Sequence, residues 1–137
     1  MQRPEPVDKE YLFEGRVIIS ETDLKGVITF ANRKFCEISG YTPKELRGQP
    51  HNIIRHPDMP KAAFAQMWQS IQSGQSWHGL VKNLRKDGLY YWVETEITPA
   101  HDEEGNVKGY IAARKPASRK NIDEIIEVYK SMIAKEK

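Results

Sequence analysis

The run Gly48-Gln49-Pro50-His51-Asn52-Ile53-Ile54-Arg55-His56-Pro57-Asp58-Met59-Pro60 concentrates groups that can do chemistry. Its three prolines, two histidines, arginine and aspartate do not build a core. Such a stretch is either a solvated surface loop or one wall of an anion site. Arg55 offers a planar fork suited to phosphate. His56 adds a donor. Asp58 can orient both, or cap a helix starting at Pro60, whose N-terminus itself favours an anion. Metal binding by His51, His56 and Asp58 fits less well. Paired ligands on one helical face usually sit four apart; here the two histidines are five apart, with Arg55 beside them.

A second set is Trp77, Val81 and Asn83, which alternation places on one face of a strand. They are either a core strand with a buried, backbone-bonded amide, or a recognition face. In the second reading Trp77 stacks on a planar ring and Asn83 hydrogen-bonds the ring's polar edge. Cys36, beside Phe35 and Ile38, is read as a small buried hydrophobe. His78 and His101 have no partner in sequence. No nucleophilic triad, G-x-G-x-x-G run or P-loop is present, so the chain is not expected to be an enzyme.

These residues need elements to hold them. Val17 to Ile19 begins a strand, Asp23-Leu24-Lys25-Gly26 turns it, and Val27 to Phe30 answers as a second strand. A short helix follows from Asn32 to Ile38, closed by Gly40. Thr42-Pro43-Lys44-Glu45 has the pattern of a helix start. From Pro60, Phe64, Met67, Trp68 and Ile71 recur at helical spacing. Trp77–Lys86 and Leu89–Thr98 flank the hairpin signal Asp87-Gly88; Tyr91, Val93, Thr95 and Ile97 are expected on a different face from Trp77, Val81 and Asn83. Tyr110 to Ala113 forms the last strand. Asn121 is expected to cap a final helix with an apolar stripe of Ile122, Ile125, Ile126, Tyr129, Met132 and Ile133. That stripe can fold back on its own sheet or pair with a partner; the reading favours the partner, with Arg114 to Lys120 as a basic connection. The fold class is α+β, a five-stranded antiparallel sheet with helices on one face plus this amphipathic helix.

Size and charge bound the function. The 137 residues suit one domain, divided as an arm (1–15), a core (16–116) and an exit helix (117–137). Lys and Arg number 21 against 19 Asp and Glu, too balanced for a nucleic-acid binder. A single cysteine excludes an internal disulfide. No apolar run approaches bilayer length, and no signal peptide opens the chain. A cytoplasmic setting is the expectation.

Asp23-Leu24, Ala31-Asn32, Ser39-Gly40-Tyr41-Thr42, Glu45-Leu46 and Gly48 together resemble the PAS fold signature. The run from Gly48 through Arg55-His56-Pro57-Asp58-Met59-Pro60 to Phe64 is narrower. With Trp77, Gly79, Val81-Lys82-Asn83, Arg85-Lys86, Gly88 and Tyr91-Trp92-Val93, it resembles the FAD-binding PAS sensors of aerotaxis receptors. The resemblance covers almost everything after residue 15. It implies an FAD-binding redox sensor in which Asn32, Arg55, His56, Asp58 and Trp77 are needed for FAD, Asn83 faces the polar edge of the ring, and Trp68 belongs to the binding set. It departs at Leu84, where a second arginine is common, and at His78, which replaces a small polar residue. It implies signalling through flanking helices to a second copy or a signalling protein, from a stand-alone chain or an excised module. The alternatives are a haem PAS sensor ligated by His51 or His56, and a cofactor-free dimerisation module. The N-C-R run of light-oxygen-voltage photoreceptors is absent, so no light-driven cysteinyl adduct is expected.

Overall fold

Three aspartates set the strand boundaries. Asp23 Oδ1 accepts from Lys25 N at 2.8 Å and Val27 N at 3.0 Å, Asp87 Oδ1 from Leu89 N at 3.1 Å, and Asp102 Oδ1 from Glu104 N at 2.9 Å and Asn106 N at 3.0 Å. A carboxylate bonding its own backbone two residues on closes a turn without help from the rest of the fold. The computed structural model, which describes residues 3–15 and 17–136, accordingly joins β1 (Ile18–Asp23) to β2 (Ile28–Ala31), β3 (Trp77–Leu84) to β4 (Tyr90–His101), and β4 to β5 (Val107–Pro116) through these turns.

The sheet order is β2-β1-β5-β4-β3, with every neighbouring pair antiparallel. Register corrects one expectation. Trp77 lies opposite Ile97, Val81 opposite Val93 and Asn83 opposite Tyr91. Directly paired residues share a face, so the two sets expected on different faces form one inner surface. Ser20 pairs with Ala112 and Thr95 with Arg114, which continues that surface across the centre of the sheet.

Helices α1 (Arg33–Ser39), α2 (Pro43–Leu46) and α3 (Lys61–Gln72) cover the inner surface. Asn32 caps α1 by accepting from Phe35 N at 3.0 Å, and Thr42 with Glu45 forms a reciprocal capping box on α2. Between α2 and α3 the proline-rich run forms a strap. It begins on the edge strand β2, where Gly48 N donates to Ile28 O and Ile28 N to Gln49 O, each at 2.9 Å. It crosses as a 3-10 turn, His51–Ile54. It ends on the opposite edge strand β3, where Arg55 bridges Asn83 and His56 N donates to Lys82 O at 3.3 Å.

Helix α4 (Arg119–Lys135) corrects two further expectations. Its cap is Ser118, whose Oγ accepts from Asn121 N at 3.2 Å, three residues before the expected Asn121. Its stripe folds back on the molecule. Ile122 and Tyr129 are buried, and Ile125, Ile126 and Met132 pack against the core. Tyr129 stacks on Trp92 with centroids 6.4 Å apart and donates its hydroxyl to Leu80 O at 2.5 Å. Leu80 and Trp92 alternate with Val81 and Val93, so α4 lies on the outer face. The N-terminal arm docks as well. Tyr11 N donates to Tyr90 O at 2.7 Å, and Arg119 Nη2 reaches both oxygens of Glu10 at 2.7 and 2.8 Å. The stretch from Arg114 is not a free basic connection, because Arg114 itself is buried within β5. Among the described residues no helix is long and apolar enough to cross a membrane.

Tyr129→Ala should cost about 3–5 kcal/mol, because it removes a buried ring together with its hydrogen bond. Urea unfolding measures that loss, and amide exchange should show α4 losing protection before the sheet does. Unchanged protection in α4 would mean that the helix holds its place without this contact.

Candidate functional site

Strap, α3 and inner sheet enclose a cavity of about 360 Å³. This is near the lower end of the roughly 300–1,000 Å³ usual for small-molecule sites. Its apolar wall includes Ile54, Phe64, Met67, Ile71, Val81 and Ile97. The rim includes Trp68 of α3, whose ring meets Tyr110 edge-on at 5.7 Å. Gly26 makes room for that ring; a methyl there would stand 3.0 Å from it, at a φ of 85° that disfavours any side chain.

The polar part is unusual. Asn83 Nδ2, Thr95 Oγ1 and Arg114 Nη1 are buried without a hydrogen-bond partner among the described residues. All three residues line the cavity. Leaving a buried polar group unpaired costs about 1–3 kcal/mol, so three on one wall mark a surface shaped for something other than protein. Lys25, Arg55 and Arg114 line the same space, and no aspartate or glutamate among the described residues does. The lining therefore matches a ligand with hydrogen-bonding edges and negative charge.

Arg114 is the deepest of these cations, at 3% exposure. Its Nη2 donates to Ser20 Oγ at 3.0 Å and to His51 Nε2 at 2.7 Å. Burial pulls the guanidinium down to about 10, which leaves it charged at neutral pH. Burial first, and the adjacent guanidinium second, push His51 down to about 3. Neutral His51 is therefore an acceptor that holds the arginine.

The seven residues read from sequence divide. Arg55, Trp68 and Asn83 line the cavity. Arg55 lies over the Phe64 ring at 4.2 Å, and burial followed by the nearby Arg3 charge lowers its pKa. The other four are not among the lining residues. Asn32 commits its side chain to backbone: Oδ1 accepts from Ile19 N and Phe35 N, and Nδ2 donates to Val17 O. Trp77 folds back along its own strand; a methyl at Gly79 would lie 2.6 Å from its ring. His56 is buried under the strap, where Nδ1 accepts from Asp58 N at 3.0 Å. Asp58 has a side chain 67% exposed and holds Lys82 Nζ at 2.9 Å. Burial pushes the Asp58 carboxyl up, but the Lys82 hydrogen bond and charge outweigh it and hold the group below its ordinary value. Asp58 does not cap α3. The first amides of α3 donate instead to Glu136, from Lys61 N at 3.1 Å and Ala62 N at 2.9 Å. His78 does find a partner, Glu94 Oε1 at 3.0 Å.

Sequence reasoning missed Arg114 and Thr95 as cavity residues. The signal for Arg114 was strand alternation: carried past Ala113, the Tyr110-Ala112 face reaches Arg114.

His51 gives the site a pH signature. In the unfolded chain it titrates near 6.5, whereas in the fold it stays neutral down to about 3. The unfolded chain therefore binds one more proton between these values. His51 then lowers stability as pH falls from 6.5 toward 3, by up to about 1.4 kcal/mol per pH unit. His51→Asn keeps an acceptor for Arg114 but no titration, so its urea midpoint should fall less steeply over pH 6.5 to 4. Equal slopes for the two proteins would contradict this placement of His51.

The same architecture recurs in known proteins. Residues 28–114 match the family described as PAS fold. The aerotaxis receptor of Escherichia coli is 46% identical over 123 residues, covering 90% of this chain and 24% of the receptor. The nitrogen fixation regulatory protein of Klebsiella pneumoniae is 32% identical over 105 residues, covering 77% of this chain and 21% of that protein. The chain thus spans about a quarter or less of the length of these relatives. A solved light-oxygen-voltage domain shares the fold with a TM-score of 0.67 at 23% identity, over 88% of this chain and 87% of that one. With a match over most of its sheet and helices, and a five-stranded antiparallel sheet closed by a strap and short helices, the chain belongs to the PAS fold family.

Proposed function

We propose that this PAS domain is a cytoplasmic redox sensor for aerotaxis-type signalling that holds FAD noncovalently. The observation that carries the reading is the cavity wall, where three unpaired buried polar atoms and three cations face a space that no acid among the described residues lines. A flavin ring presents carbonyl and imide groups that such atoms can pair with, and its phosphates suit the cations. The resemblance of the Arg55–Pro60 run to FAD-binding PAS sensors agrees with this, as does 46% identity to an aerotaxis receptor. Bound flavin would supply reversible electron uptake. The protein's part is to bind, orient and respond.

In this reading Asn83 pairs with the polar edge of the ring, its amide able to donate or accept as the ring changes protonation. Trp68 would border the ring, and Arg55 would hold the pyrophosphate. The cavity suits a ring better than a whole dinucleotide, and Lys25, exposed at the lining, would be available to the remainder of FAD. Asn32, His56, Asp58 and Trp77 act through the frame: the first caps α1, the next two fasten the strap, and the last stiffens β3. The signal leaves through the arm and α4, toward a second copy or a signalling protein.

A haem reading fits the geometry less well. His51 Nε2 accepts from Arg114 at 2.7 Å, and His56 Nδ1 accepts from a backbone amide at 3.0 Å. A cofactor-free dimerisation module would have no use for three orphaned polar groups around a cavity.

The purified protein should be yellow and release FAD on denaturation, identified by chromatography; FMN, haem or no cofactor would sink the reading. Arg55→Ala should weaken FAD binding by roughly one to two decades, the worth of a charge-assisted contact. His56→Ala should lower the urea midpoint as well as flavin content, because it loosens the strap. A binding loss without any stability loss would place His56 on the ligand instead.

Blue light should leave the flavin absorbance unchanged. Cys36 lies on α1 outside the cavity lining, and burial, then the Glu37 charge, raises its pKa. Reversible bleaching that Cys36→Ser abolishes would contradict this.

A further inference from the structure

Arg114 is a charge that the folded chain pays for without visible return. Its guanidinium is 3% exposed and lies above the Phe35 ring at 5.0 Å. Its hydrogen-bond partners are a hydroxyl and a neutral imidazole, Ser20 and His51. Among the described residues no carboxylate lines the cavity beside it. Buried cations are ordinarily paired, because an unpaired one forfeits its hydration without Coulombic compensation. Both of these hydrogen bonds run through Nη2, while Nη1 has no partner among the described residues. Thr95 stands directly opposite Arg114 in the sheet, and its Oγ1 also lacks a partner among them. One edge of the fork is anchored and the other is free.

We propose that Arg114 is a ligand-binding residue whose free edge is held ready for an oxygen-bearing edge of the bound ring, gripping it more tightly as that edge becomes more negative. Ser20 and His51 are positioning residues that fix the plane of the guanidinium. This rests on the flavin reading above and deepens it. When the flavin ring takes up two electrons and one proton from an external electron donor, it acquires one negative charge. A buried, uncompensated cation then favours the reduced ring over the oxidised one. Arg114 thus assigns the site a preference for ligand charge, beyond shape and hydrogen bonding.

The test compares wild type with Arg114→Met, Arg114→Lys and Arg114→Gln. Three readouts are used: urea unfolding of the flavin-free proteins, FAD affinity, and the two-electron midpoint potential of bound flavin titrated with dithionite. Flavin-free Arg114→Met should unfold at the wild-type urea concentration or above it, because an unpaired buried charge has been removed. It should bind FAD roughly ten- to a hundredfold more weakly. Its potential should fall by about 30 mV for every tenfold loss of preference for the reduced ring. Arg114→Lys keeps the charge without the fork, so it should hold the wild-type potential while losing affinity. A destabilised Arg114→Met with wild-type affinity and potential overturns the proposal, since that is how a scaffold residue behaves. Should Arg114→Met fail to fold, Arg114→Gln keeps a donor for Ser20 and His51 without the charge and carries the same comparison. If wild type takes up no flavin, the flavin reading fails separately. The unfolding comparison then decides: destabilisation overturns the proposal, and unchanged or raised stability supports it.

Discussion

The strap between α2 and α3 depends on a geometric fact: it must reach both edges of a five-stranded sheet. Gly48 and Gln49 bond the β2 side, and Arg55 and His56 bond the β3 side. Beyond the further bond from His51 N to Gly26 O, the stretch in between is suspended over the inner face. The 3-10 turn drops Ile53 and Ile54 into the core and brings His51 to Arg114. Without both anchor points the cavity would have no roof. The prolines of this run contribute by restricting the backbone of a segment that has little regular hydrogen bonding of its own.

Beneath the strap the fold accepts a cost. Packed interiors ordinarily satisfy their polar atoms, and most of this core avoids the problem with aliphatic and aromatic side chains. Among the described residues, three of the five unpaired buried side-chain atoms gather where β3, β4 and β5 face the cavity, while the Tyr41 and Tyr91 hydroxyls lie outside its lining. Asn83, Thr95 and Arg114 come from three adjacent strands, and pairing sets two of them side by side. A sheet is a rigid platform for such an arrangement, because register fixes which residues stand together. The outer face shows the contrast: there Tyr129 covers Trp92 and finds Leu80 O for its hydroxyl.

The elements were legible because their signals are local. The Asp23 and Asp87 turns, the Thr42–Glu45 capping box and the apolar face of α3 each depend on residues within a few positions. The candidate site was legible only in part, because its logic is non-local. Arg55, Trp68 and Asn83 could be singled out by type. That His56 and Asp58 turn away toward Tyr90 and Lys82 follows from the path of the strap around β3, which no spacing rule reveals. Arg114 looked like the first residue of a basic connection because Lys115 and Arg119 follow it. Its burial became visible once β5 was seen to run on to Pro116 between β1 and β4. The stripe of α4 was readable as amphipathic, but its target on the outer face depends on where Leu80 and Trp92 point.

The sheet order has a kinetic consequence. Its centre is β5, whose partner β1 lies at the other end of the chain, with Ile18 paired to Arg114. Such distant pairing must meet its loop-closure entropy before any contact offsets it. The β1–β2 and β3–β4 hairpins can form early from neighbouring residues, yet neither completes a wall of the cavity until β5 inserts between them. On a ribosome, the N-terminal hairpin waits with one edge open until almost the whole domain has emerged. Assembly is therefore gated by the strand that also delivers Arg114, so a chain that stalls before this point has neither a closed sheet nor a binding site.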